Sequence, residues 1–191
     1  MKIKYNAPVV LSFTLACFAA TILDIVSGGT ITRLVFCTYR TSLLDPMFYI
    51  RLFTHVVGHR GWEHFIGNAT YLLLLGPLLE EKYGCKTLLK AIVITALATG
   101  IINAVIFPNV ALCGASGVVF AFILLASFTE FKKGDIPLTF ILVSVIYIGN
   151  QILDGIFVQN NISNMAHIVG GIVGAVFGYA LNLKRSHKRR K

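Results

Sequence analysis

The stretch Cys113-Gly114-Ala115-Ser116-Gly117 decides how this chain is read. It sets a small hydroxyl side chain between glycines and opens an uncharged apolar run, Val118 to Leu125. A serine at or just inside a helix start has an ordinary reading as an N-cap or a small packing residue. It also has a chemical one. The first N–H groups of a helix lack intrahelical partners, and the helix dipole favours negative charge there. An oxyanion formed by attack of Ser116 would meet its own backbone N–H. Gly114 and Gly117 would let a substrate backbone come close.

Around that stretch the chain is apolar throughout. Of 191 residues, 56% are hydrophobic and 13% charged, with a mean hydropathy of +0.77. Soluble domains are about 45–50% apolar and about 25% charged. The excess lies in long runs, which predicts an all-α, polytopic membrane protein in one domain over 1–191. Six runs are long enough to span: about 8–26, 62–79, 88–107, 114–131, 136–153 and 163–183. The first follows Lys2 and Lys4, as a signal peptide would. It is long and has no clear small-x-small cleavage site after it, so it reads as a retained helix.

The net charge of +9 invites a nucleic-acid reading. Six of the 17 basic residues, however, sit in the tail 184–191, just after an apolar run. Such a tail holds a helix end at an anionic cytoplasmic leaflet. No basic fold or aromatic platform accompanies it, so no nucleic-acid partner is expected. The cysteines Cys17, Cys37, Cys85 and Cys113 have no metal spacing. Cys17 and Cys113 read as small packing residues, and no structural disulfide is evident. No cofactor or metal is called for.

Charge also predicts orientation. With the N-terminus cytoplasmic, the inner segments hold Lys2, Lys4, Lys82, Lys86, Lys90, Lys132, Lys133 and the six of the tail. The outer segments hold only Arg33, Arg40, Arg51 and Arg60. Both termini are therefore expected inside. The second, fourth and sixth spans then all start outside and run inward. His64 and Asn68, Ser116, and His167 lie near those three starts, at one depth in the outer part of the membrane. Polar groups in a membrane face a bundle interior or a water-filled cavity. The first loop, about 27–61, is long enough to carry short helices of its own. It holds Phe48, Tyr49 and Phe53 together, which fits a partly inserted segment and a solvated structural loop alike.

His64 and Asn68 are four apart and share a helix face. Alone they read as an interhelical hydrogen-bonding pair, or as two donors to an oxyanion. His167 precedes Gly170, Gly174 and Gly178, a row of small residues at helical spacing that lets another helix pack very close. His167 lies on roughly the same face, directed toward the neighbour the row contacts. If that neighbour is the Ser116 helix, base and nucleophile meet. Near a helix start the dipole would disfavour imidazolium and keep His167 able to accept a proton. No carboxylate lies mid-span, and Glu63, beside His64, does not share its face. The expectation is a Ser–His dyad without a carboxylate.

These residues resemble the rhomboid family of intramembrane serine proteases. Gly114-Ala115-Ser116-Gly117 looks like the family's GxSG, and His64-Phe65-Ile66-Gly67-Asn68 like its HxxxN. Ala166-His167-Ile168-Val169-Gly170 resembles its last-helix motif, and His55 and His59 match its run before the second span. The resemblance implies a minimal six-helix prokaryotic type, with Ser116 as nucleophile and His167 as base and acid. It implies an oxyanion site of His64, Asn68 and the Ser116 N–H. Phe120 matches the aromatic position that packs on the histidine, with phenylalanine where tyrosine often occurs. Arg51 looks like the arginine of the family's Trp-Arg pair, and Ile50 stands in place of the tryptophan.

The function expected is a serine endopeptidase of the cell membrane, with its site opening to the extracytoplasmic side. It would cut single-pass transmembrane proteins near the outer face, in contact with membrane lipid. A gate is expected around Ile152 to Asn161, on the family's pattern. Two other readings stand: a non-catalytic rhomboid-like factor that binds membrane helices, and a small transporter. Intact Ser116 and His167 speak against the first. The second would show broken helices in paired repeats, which are not found.

Overall fold

The computed structural model describes residues 3–128, 136–157 and 161–188. They form α1 (Pro8–Val26), α2 (Thr30–Val35), α3 (Pro46–Thr54), α4 (Gly61–Tyr83), α5 (Cys85–Ile106), α6 (Ser116–Ser127), α7 (Leu138–Phe157) and α8 (Asn161–Lys188). Among the described residues the sole β pairing is an isolated antiparallel bridge, Thr38 with Leu112. The chain is all-α, and each of the six apolar runs carries a helix.

Three helices among the described residues are long and apolar enough to cross a membrane: α1, α5 and residues 164–181 of α8. The surface fits the same solvent. Large apolar side chains such as Leu15, Leu73, Leu74, Val93 and Val176 point outward, between 41% and 62% exposed. A surface of this kind suits lipid rather than water.

The predicted boundaries need correction. Among the described residues the run 114–131 is helical over Ser116–Ser127, and 129–131 lie outside them. Gly114 takes φ +128°, outside helical backbone, and Ala115 is the N-cap. At about 1.5 Å per residue, twelve residues fall well short of a roughly 30 Å hydrocarbon core. The helix is short because it is central. Gly117 to Leu125 are all buried, as expected of a helix apolar on every side. The run 163–183 lengthens to Asn161–Lys188, and loop 27–61 carries α2 and α3.

α1 and α4 run antiparallel and cap each other. The N–H groups of Val9 and Val10 donate to the Glu80 carboxylate at 2.9 and 3.0 Å. At the far end the Gly61 N–H donates to Asp24 Oδ2 at 3.1 Å. Both acids are buried. Each sits at a helix N-terminus, where orphan donors and the dipole favour a carboxylate.

α8 lies along α6 in parallel. A Cβ at Gly170 would stand 2.0 Å from the Gly117 carbonyl oxygen, and one at Gly174 would stand 2.1 Å from that of Ala121. Gly178 meets the Phe128 ring. The glycine row thus lies backbone to backbone against the serine-bearing helix.

Replacing Glu80 by alanine strands two buried N–H donors, at a cost of about 1–3 kcal/mol each. Glu80→Ala should melt in detergent well below both the wild type and Glu81→Ala, whose side chain is exposed. Equal melting of the two variants would refute the capping role.

Candidate active site

Ser116 is the first residue of α6 and is half-buried. No side chain caps this helix start, so its first N–H groups are those that every helix leaves without intrahelical acceptors. The segment before it is tied down. Gly114 N–H donates to the His55 carbonyl at 2.9 Å. Ala115 N–H donates to His59 Nε2 at 3.3 Å. Two bonds at 2.9 Å join Thr38 to Leu112.

His59 acts through its tautomer. Its Nδ1 lies 3.0 Å from the Val57 carbonyl, which only accepts, so Nδ1 carries the hydrogen and Nε2 is free to accept from Ala115. His55 is held likewise, with Nδ1 3.1 Å from the Arg51 carbonyl and Nε2 3.1 Å from the Thr99 hydroxyl. Both rings are fully buried.

His64 lies against the serine segment from α4. A Cβ at Gly114 would stand 2.6 Å from His64 Nε2, so only glycine leaves room for the ring. His64 also meets His59 edge-on, with centroids 4.9 Å apart. Asn68 is buried one turn further, and its Nδ2 donates to the His64 carbonyl at 2.9 Å. The two share a face, and the amide nitrogen is engaged within its own helix.

His167 approaches from α8. Its ring stacks on Phe120, with centroids 4.3 Å apart and planes 6° from parallel. Phe120 is one turn beyond Ser116. The Ala166 carbonyl would stand 3.3 Å from a Cβ at Gly117, and Gly170 packs on Gly117 itself. The neighbour of the glycine row is therefore the Ser116 helix. His167 lies past the first turn of α8, which begins at Asn161, so the dipole expected to act on it has largely faded there.

The flanking glycines have a packing reason beside the one proposed from sequence. Gly114 makes room for His64, and Gly117 makes room for α8. Sequence reasoning missed the work of His59, which showed only as a family match. Arg51 is buried: it pairs with Asp45 at 2.7 Å, donates to the Tyr39 hydroxyl at 2.6 Å and lies over the Tyr39 ring. It holds the first loop together. The gate expected around 152–161 includes residues 158–160, outside the described residues. Among the described residues no group of His, Cys, Asp and Glu is arranged to hold a metal.

The family profile of the rhomboid domain matches residues 47–184. The chain is 28% identical over 133 residues to the rhomboid protease GlpG of Haemophilus influenzae, covering 68% of each. It is 26% identical over 140 residues to rhomboid-related protein 1 of Caenorhabditis elegans, covering 69% of this chain and 39% of that protein. The matched stretch thus spans well under half of the worm protein.

His55 and His59 lie in the first loop, outside the apolar spans, and burial pushes each down to about 4. In the unfolded chain they take up protons near 6.5. Their contribution to stability is thus full above about pH 6.5 and is lost as pH falls toward 4. The melting temperature of the wild type should drop through that window. His59→Gln, whose amide oxygen still accepts from Ala115, should drop less. Parallel curves for the two proteins would contradict the assignment.

Proposed function

The chain belongs to the rhomboid family, and we propose that it is an intramembrane serine protease in which Ser116 and His167 form the catalytic dyad. One observation carries this reading. The Gly170–Gly117 contact fixes the register of α8 on α6, and the stacked His167 and Phe120 rings follow from that register. A base and a nucleophile on two helices need a contact that sets both distance and rotation, and backbone packing supplies it.

The chemistry runs as follows. Ser116 Oγ attacks the scissile carbonyl while His167 takes its proton. The oxyanion is met by the Ser116 N–H and by His64, with Asn68 supporting from one turn below. His167 then protonates the leaving amine, and water resolves the acyl-enzyme through the same histidine. The substrates are transmembrane proteins, single-pass in the simplest case. A helical peptide bond is shielded, so the cut requires a locally unwound segment, favoured by small residues near it.

The topology proposed with this reading is six spans with both termini in the cytoplasm. Ser116, His64 and His167 sit near the starts of three co-directional helices and open to the outer side. The apolar face of α3, with Tyr49, Ile50 and Phe53 each about half-exposed, suits contact with the outer leaflet.

Two experiments test this. With purified protein in detergent and a model transmembrane substrate, Ser116→Ala should abolish cleavage and labelling by a serine-reactive fluorophosphonate. His167→Ala should slow cleavage by roughly 10²–10⁴-fold, the usual scale of a lost general base. Undiminished cleavage by Ser116→Ala refutes the mechanism. For topology, a reporter active only in the cytoplasm, fused after Lys191, should be active. An inactive reporter there, with an exported one working in its place, overturns the orientation.

A further inference from the structure

The bridge between Thr38 and Leu112 has a consequence for the residues beside it. Thr38 and Leu112 exchange both backbone hydrogen bonds, each 2.9 Å, so they are the hydrogen-bonded pair of an antiparallel register. Cys37 and Cys113 are the next residues beyond that bridge, at the point where the ladder ends because the Phe36 N–H donates to Thr32 and the Gly114 N–H to His55. Antiparallel pairing continued to that point would put two Cα atoms about 4.5 Å apart with side chains on one face. A disulfide spans roughly 4.4–6.8 Å at Cα. The two thiols are free and close enough to perturb each other's ionisation. Cys37 is fully buried and Cys113 is half-buried.

We propose that Cys37 and Cys113 are a redox pair that closes to a reversible disulfide, tying the first loop to the segment that leads into Ser116. The surroundings favour exchange. The neighbouring Cys113 holds the Cys37 thiol below its usual range, and the Arg60 cation adds to this, while Cys113 is pushed up. The pair ionises as a unit that shares one proton. The oxidant is an external disulfide, low-molecular-weight or protein-borne. With the shared proton on Cys37, the less buried Cys113 sulfur attacks it as thiolate, its S–S bond breaks and one thiolate leaves. Cys37 then attacks the Cys113 sulfur of the mixed disulfide and expels the second thiolate. Both chain thiols are oxidised, the external disulfide is reduced to two thiols, and the two protons go to those products.

The bond would close the interval 37–113, which holds α3, α4 and α5. The pair lies beside the Thr38–Leu112 bridge, so the bond would staple the serine segment where that bridge already holds it. An outward-facing site in an oxidising compartment is where such a bond persists. The proposal does not depend on proteolysis by this chain.

The test uses the full chain in detergent, treated with oxidised glutathione, then denatured, alkylated and digested. The expected result is a linked peptide joining Cys37 to Cys113 in the monomer. Alkylation of both should be lost and should return after dithiothreitol. The oxidised chain should melt higher than the reduced one. Cys37→Ser should give no linked peptide, carry glutathione on Cys113, and lose the rise in melting temperature. Full alkylation of both cysteines after oxidation, glutathione on each with no linked peptide, a bond between two chains, or unchanged melting would each overturn the proposal.

Discussion

The contact between Gly170 and the Gly117 carbonyl sets the rest of the structure. Lipid tails are as apolar as leucine, so helices in a membrane gain little by hiding apolar surface from one another. What holds α8 to α6 is close packing of backbone on backbone, which a methyl group at Gly170 or Gly174 would prevent. The same contact fixes rotation. With Gly170 on Gly117 and Gly174 on Ala121, His167 has one place to go, flat on Phe120. A looser interface built from leucines would tolerate several registers, and the histidine would share their spread.

Around this pair the fold settles its backbone polar groups by long-range partners. Within hydrocarbon an unsatisfied N–H or C=O is costly, so helix ends and loops need acceptors and donors from elsewhere. Glu80 and Asp24 cap α1 and α4 across the bundle. Asn103 donates to the carbonyls of Thr38 and Val110, at 3.2 and 2.9 Å. His55 and His59 receive the segment before Ser116. The α6 start, like that of α5, has no side-chain cap, and its N-cap is an alanine. A helix start left open beside a half-buried serine is where developing negative charge is best received.

What the sequence made legible follows from what is local. Each of the six hydrophobic runs located a helix. The glycine row carried its own meaning, because 3.6-residue spacing puts Gly170, Gly174 and Gly178 on one face. The first loop read correctly as a place for short helices. What stayed hidden pairs residues far apart in the chain: Val9 with Glu80, Gly61 with Asp24, Ala115 with His59, and Cys37 with Cys113. No spacing rule reaches across such intervals. The partners of Arg51, Asp45 and Tyr39, were hidden for the same reason, because they come from the fold of the loop. The serine helix starts at Ser116 rather than Gly114, and an apolar run does not say whether it spans lipid or is enclosed by other helices.

A dyad without a carboxylate, as proposed here, has a physical rationale. In a triad the acid holds the imidazole's orientation and steadies its positive form. Here the ring lies flat on Phe120, within 6° of parallel, and its helix is locked to the serine helix by backbone contact. Orientation is therefore supplied by packing, which a membrane interior favours and which costs no buried charge. A lone carboxylate in hydrocarbon would need its own partners, as Glu80 and Asp24 have. Among the described residues, the buried acids Glu80 and Asp24 lie where helix ends satisfy them, and the His167 ring lies against an aromatic face. The proposed dyad would depend on the rigidity of α6 against α8.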